Sequence, residues 1–229
     1  MKGNTKHLNE GRIVDLSVPL TSMRSPVYPG SPQPVRTTFS TIDETGFRSN
    51  LWVFEEHSAT HVDAPAHVVP DRSTIDSIPL SRYVGRGVVL NFARFRPKSE
   101  IGRSDVVKRL REEGVASGRL PDTILLFYTG YTRRFGTSSW LDNPVLNKEA
   151  CEFVAGLQVK AIGFDAASPD REPYPAHKVL LPAGISIYEN LTNLERLLHR
   201  TFTFVGAPLA LSGGTGGLVR AFAVVDGDI

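Results

Sequence analysis

The run Glu56-His57-Ser58-Ala59-Thr60-His61-Val62-Asp63-Ala64-Pro65-Ala66-His67 gathers three of the chain's six histidines and an aspartate. Imidazole nitrogen and carboxylate oxygen are donors that suit zinc, manganese or iron. His57, His61, Asp63 and His67 all stand at odd positions, so a straight strand would point them to one side. At about 3.3 Å per residue that strand would spread them over roughly 30 Å, too far to share one ion. The backbone is therefore expected to coil between His57 and His61, where a four-residue helical step sets side chains within about 6 Å. Pro65 fixes its own φ and disfavours helix at Ala64, so the chain should straighten there. The competing reading is of histidines scattered in a loop or settled in a core. It leaves unexplained why four potential ligands crowd together, and a metal site is the expectation.

A site begun in one segment needs closure from another. His7 falls in the polar stretch 1–10, expected as a flexible tail. His199 is expected late in a helix over Leu191–His199, beside Arg200, where it serves the helix end. His177 follows the proline-ordered loop Ser168–Pro175 and precedes Glu189, which ends the strand expected over Ile185–Tyr188. A carboxylate at a strand terminus can complete the site with a loop histidine; it can equally cap the next helix. Asp165 has two readings, orienting a ligand histidine or capping the loop at Ser168. The run Leu211–Gly217 lacks the lysine of a phosphate loop and is expected to be a tight connection between strands. Trp52 and Phe54 are equally readable as pocket lining and as core, and receive no role.

The elements that must hold these residues follow from patterning. With 229 residues, 41% hydrophobic and 22% charged, the chain is expected to form one domain over 1–229 with a single core. Strands are expected over Arg12–Val18, Val35–Ile42, Asn50–Phe54, Gly87–Phe92, Thr123–Tyr128, Lys160–Phe164, Phe202–Val205 and Val219–Val225. Helices are expected over Asp105–Glu113, with Ser104 as N-cap and Gly114 as stop, and over Lys148–Leu157. Cys151, the lone cysteine, excludes an internal disulfide and reads as a buried apolar residue of the second helix. The loop Ser25–Pro32 is long enough to be functional or an interface arm. Strands interleaved with helices after a strand-rich first third predict a mixed α/β fold. A net charge of +2 with scattered basic residues argues against nucleic acid. No run reaches the roughly 20 apolar residues of a membrane span, and the N-terminus lacks a signal region, so a cytoplasmic location is expected.

The pattern His57-x-x-x-His61-x-Asp63-Ala64-Pro65-x-His67 resembles the signature of the metal-dependent cyclase family, which includes bacterial kynurenine formamidase and isatin hydrolase. Asp15-Leu16-Ser17, Tyr28-Pro29-Gly30, Thr129-Gly130-Tyr131, Gly163-Phe164-Asp165, Glu189-Asn190-Leu191 and Gly216-Gly217 also resemble family segments. The resemblance implies the swivelling β/β/α fold, with His57, His61 and Asp63 on a first metal. It further implies that Asp63 bridges to a second ion held by His177 and Glu189, and that His67 is the general acid/base. The ion would be zinc, with manganese as alternative, one or two per site. It implies hydrolysis of a carbon–nitrogen bond, arylformamidase-like, by attack of metal-bound hydroxide on the carbonyl. Alternatives are a cyclic amide (lactam) hydrolase, a cyclase, or a non-catalytic metal or metabolite binder; His67 argues against the last. The partners implied are a small amide or lactam and further copies of the chain, as a dimer or tetramer. Ala59, where the family usually has glycine, is the departure that bears on the local backbone.

Overall fold

The computed structural model describes residues 12–116 and 118–226, so the tail read over 1–10, with His7, lies outside the described residues. In chain order the strands are β1 (Ile13–Asp15), β2 (Val35–Ser40), β3 (Ser49–Val53), β4 (His61–Asp63), β5 (Val84–Asn91), β6 (Glu100–Ile101), β7 (Thr123–Tyr128), β8 (Val145–Leu146) and β9 (Ala161–Phe164). They continue with β10 (Ser186–Glu189), β11 (Phe202–Val205), β12 (Gly216–Leu218) and β13 (Phe222–Val225). The helices are α1 (Ile42–Thr45), α2 (Arg103–Glu112), α3 (Lys148–Gly156) and α4 (Pro175–Leu180).

Among the described residues one nine-stranded sheet runs in the order β1-β13-β11-β5-β7-β9-β10-β4-β12. Its centre, β5-β7-β9-β10, is parallel, and antiparallel strands close both flanks. The fold is thus a mixed α/β domain, as the interleaved pattern predicts. The parallel strands are apolar on both faces because both faces are covered. Leu125, Phe127 and Ile187 point into the core shared with α2, α3 and α4. Ile124, Leu126 and Tyr188 point into a second core shared with Val14, Val62, Leu191, Leu194, Phe204 and Ala223. Phe127 stacks on Phe164 with ring centres 4.6 Å apart, locking β7 to β9 beneath the helices. Among the described residues no helix is long and apolar enough to cross a membrane.

The structure corrects three sequence expectations. The cap of α2 is Gly102, not Ser104; its N–H donates to Asp105 Oδ2 at 2.9 Å, closing the first turn two residues earlier. No helix spans Leu191–His199, where only Leu194–Leu197 forms a short 3-10 turn. The backbone there is committed elsewhere. Leu191 N–H donates to Phe164 O, Thr192 N–H donates to Leu16 O, and Asn193 and His199 adopt positive φ. Those long-range bonds prevail over a modest helical periodicity. His199 instead meets Glu113, Nδ1 to Oε1 2.9 Å, on the surface. Cys151 is fully buried in α3 as expected, and burial pushes its thiol up to about 12.

Candidate metal centre

Strand pairing builds half of this centre. In the register of β4 with β10, Glu189 lies opposite His61 and Ile187 opposite Asp63. Residues facing one another across an antiparallel pair share a face, and so do residues two apart on one strand. His61, Asp63 and Glu189 therefore project together, on the face that carries α4. From that helix His177 reaches down, its Nε2 3.6 Å from both Asp63 Oδ2 and Glu189 Oε1. His61 Nε2 approaches the same two carboxylates, at 3.4 Å from Asp63 and 3.5 Å from Glu189. His57 completes the group, Nδ1 2.7 Å from Asp63 Oδ1.

His57 does not arrive by a helical step, as expected from the sequence. Residues 56–60 form a turn in which Ala59 adopts the left-handed conformation, φ +52°. Neighbours hold it there. Ala59 N–H donates to Pro26 O, and Ala59 O accepts from Asn190 Nδ2 and lies 3.0 Å from His61 Nδ1. The strain of an alanine in this region is about 1 kcal/mol, offset in glycine by a more flexible unfolded chain. Ala59→Gly should accordingly leave stability within about 1 kcal/mol of the parent. A denaturant midpoint shifted strongly downward would show that the methyl group itself supports the turn. The ring of His57 is seated against Gly216, where any Cβ would lie 2.5 Å from its Cε1. The glycine run is thus more than a strand connection, since Gly216 on β12 makes room for a site histidine. Thr215 Oγ1 lies 3.0 Å from His57 Nε2 and donates in a short contact to Glu56 Oε1.

The helix-side histidine is oriented by Asp170, not by Asp165. Asp170 Oδ1 lies 2.9 Å from His177 Nδ1, and its Oδ2 accepts the His177 backbone N–H at 3.0 Å. With Nδ1 so engaged, Nε2 is the nitrogen free to face the carboxylates, the arrangement that fixes metal-bound histidines in general. Asp165 instead accepts from Thr129 N–H, Thr129 Oγ1 and Gly130 N–H, tying the turn after β7. Asp170→Ala should lower metal affinity about 10- to 100-fold, read by competition with a chromophoric chelator. Unchanged affinity would mean that packing alone holds the ring.

Electrostatics favour a cation. Burial alone would raise the Asp63 carboxyl, but the histidines His177, His57 and His61 around it hold it well below the usual range. Burial alone would lower His177, yet Asp170, Asp63 and Glu189 push it up to about 11; His61 rises to about 9 against the same cost. Glu189, desolvated beside Asp63, is pushed up to about 7. Asp63 Oδ2 is buried without a hydrogen bond, an arrangement expensive unless something positive meets it. Two groups of three ligand atoms, each mutually within 4.8 Å, result: His57-His61-Asp63 and Asp63-His177-Glu189. Asp63 belongs to both, and this N/O donor chemistry fits one or two divalent ions.

His67 stands apart from both groups. It ends the short helical turn Pro65–His67, its ring centre 4.1 Å from His57 and 5.9 Å from His177. Desolvation and the nearby His57, His177 and His61 hold it below the ordinary histidine value, to about 4, with water screening its exposed side. All six residues line one cavity of about 320 Å³, within the range of small-ligand sites. The proline-rich loop contributes Tyr28 and Ser31 to its wall, and Tyr174, beside Tyr28, and Lys178 line it as well. Sequence reading marked the Ser25–Pro32 loop as long enough to be functional and Tyr28-Pro29-Gly30 as a family-like segment, but gave no individual site role to these four, nor to Asp170, Glu56 and Thr215. Their signal was no more than proximity to a breaker or, for Glu56, to His57, because distant loops meet here.

The model of the Cyclase family, described as "Putative cyclase", matches residues 14–171, more than half of the chain. The chain belongs to the cyclase family. Similar members include kynurenine formamidase of Salinibacter ruber, 29% identical over 91% of this chain and 95% of that one. Isatin hydrolase of Roseibium aggregatum is 26% identical over 78% of this chain and 75% of its own. Among solved structures, an isatin hydrolase bound to the product analogue thioisatinate superposes with a TM-score of 0.86, covering 94% of this chain and 92% of that one. At 23% identity that likeness speaks for the fold alone. The cyclase-family match ends before His177 and Glu189, so it is the strand register and α4 that bring these two to the centre.

Proposed function

We propose that this cyclase-family chain hydrolyses the carbon–nitrogen bond of a small amide, arylformamides first, with one or two divalent ions held by His57, His61, Asp63, His177 and Glu189. The observation that carries the reading is the sharing of Asp63 between two ligand groups in the wall of a cavity that also contains His67. A divalent ion in such a site lowers the pKa of water from 15.7 to about 7 and polarises a carbonyl oxygen. The protein's own part is to orient and to move protons. Asp170 keeps His177 Nε2 turned inward, Ala59 O lies within reach of His61 Nδ1, and Gly216 leaves room for His57. His67, neutral at pH 7, takes a proton from water or returns one to the departing nitrogen. Zinc is proposed ahead of manganese because three imidazoles and two carboxylates suit it. Cyclic amides are the second substrate class, favoured by the isatin hydrolases among the relatives.

The test is elemental analysis of the purified protein followed by a screen of N-formyl anilines and isatin-type lactams, each with zinc and with manganese. Metal-dependent release of formate from formanilides supports the reading. Ring opening alone selects the lactam class. Stoichiometric metal with neither hydrolysis would overturn the enzyme reading in favour of a binding protein.

A further inference from the structure

The three imidazoles of the two ligand groups are not held alike. His61 Nδ1 lies 3.0 Å from the Ala59 carbonyl, and His177 Nδ1 lies 2.9 Å from the Asp170 carboxylate. Such oxygens only accept, so in both rings Nδ1 carries the proton and Nε2 turns its lone pair toward Asp63 and Glu189. His57 is reversed. Its Nδ1 faces Asp63 Oδ1 at 2.7 Å, and its Nε2 turns to Thr215 Oγ1 at 3.0 Å. Thr215 has a single hydroxyl proton, and that proton goes to Glu56 Oε1, which also accepts the Thr215 backbone N–H at 3.0 Å. Toward His57 the hydroxyl is therefore left to accept. The protonated nitrogen of His57 is Nε2, and Nδ1 offers its lone pair to an ion beside Asp63.

The loop that carries Thr215 is shaped around this chain of contacts. A Cβ on Gly214 would lie 2.9 Å from Glu56 Oε2, and one on Gly216 2.5 Å from His57 Cε1. The glycines on either side of Thr215 thus leave space for the two side chains it joins. The backbone is pinned as well, with Ala64 N–H donating to Thr215 O and Ile75 N–H to Gly214 O, each at 2.8 Å. In the register of β12 with β4, Gly216 lies opposite Asp63. We propose that Glu56 and Thr215 are positioning residues that fix His57 as an Nδ1 ligand, the reverse of His61 and His177. The hydroxyl holds the ring, and the carboxylate decides which way the hydroxyl proton points. Without Glu56 that proton is free to turn to Nε2, and the ring can take its other tautomer. The inference rests on the metal-dependent reading above and concerns the ion of His57, His61 and Asp63, since His57 stands outside the Asp63-His177-Glu189 group. A carboxylate behind a ligand imidazole also raises its basicity.

The test is NMR on the full chain with isotope-labelled imidazole rings, metal-free and loaded with cadmium. His57 should carry a proton on Nε2 in both forms. In the loaded protein, coupling to cadmium should appear at Nδ1 of His57 and at Nε2 of His61 and His177. Competition with a chromophoric chelator supplies the second readout. Glu56→Ala and Thr215→Val should each weaken zinc binding about 10- to 100-fold. Because the two residues act in series, the double substitution should cost little more than either alone. Thr215→Ser, which keeps the hydroxyl, should restore the parental affinity and separate loss of the contact from damage to the loop. A His57 ring protonated on Nδ1 alone, or coupled to cadmium through Nε2, would overturn the proposal. So would parental zinc affinity in Thr215→Val, or a Thr215→Ser protein as weak as Thr215→Val. A chain that binds no ion at all removes the hydrolase reading, while the Nε2 proton of the metal-free form still decides for or against the clamp on His57.

Discussion

Asp63→Asn is expected to strip the protein of divalent metal and to lower hydrolysis on the order of 10⁴-fold, because ion-activated water is lost with the ion. The side chain keeps its volume, so the fold of β4 between β10 and β12 should persist. What disappears is the negative charge that both ligand groups share. Glu189→Gln is the informative contrast. It removes a ligand from the group with His177 and leaves His57, His61 and Asp63 intact. If two ions bind, Glu189→Gln should retain about half of the parental metal while Asp63→Asn retains almost none. Elemental analysis of both variants after dialysis reads this directly. The Asp63→Asn substitution should also lower the proton affinity of His61, which Asp63 chiefly raises, and in part that of His177, which Asp170 raises first and Asp63 next. Imidazole titration followed by NMR would register that change even in metal-free protein. Parental metal stoichiometry in Asp63→Asn would sink the shared-ligand arrangement.

The cluster at His57–His67 was legible because its chemistry is written in one short segment, and the strands β5, β7 and β9 because both of their faces are buried. The helical step between His57 and His61 was not legible. Spacing alone favoured it, but a turn through a left-handed Ala59 achieves the same convergence, with His57 and His61 ring centres 5.3 Å apart. That conformation is stabilised by Pro26 and Asn190, far away in sequence. The same reason hid Asp170: its claim on His177 depends on the loop after β9 folding over α4, while Asp165 looked equally suited on type alone. The exposed apolar face of β2–β3 could not be read from the strand pattern. Alternation shows that a face exists, and only the assembled structure shows that none of the described residues covers it. Family resemblance supplied His177 and Glu189 as partners of Asp63. Strand register and the placement of α4 supply the physical reason for their meeting.

His67→Ala is expected to lower kcat about 10²- to 10⁴-fold while leaving bound metal at the parental level. The residue belongs to neither ligand group, so its loss removes no donor. Among the described residues its ring nitrogens have no hydrogen-bond partner, and its exposed side faces the cavity. Desolvation and the neighbouring imidazoles keep it neutral at pH 7, the form that accepts a proton. The sign of its pH dependence follows: activity is present above its folded-state value and lost as acid protonates the ring. Substrate binding need not suffer, so the fall should lie in kcat more than in KM. A merely structural role would give a different pattern, with loss of stability or metal and no recovery. Removing the ring leaves room beside His57, and free imidazole at high concentration should restore part of the lost rate. Full activity in His67→Ala, at equal metal content, would move the proton role to another group. Other ionisable side chains on the cavity wall are Glu55, Lys178, Tyr28 and Tyr174, and the same loss measured in variants of each would locate it. Tyr28 is pushed up to about 12 by burial and by Tyr174, which makes it a poor base at neutral pH.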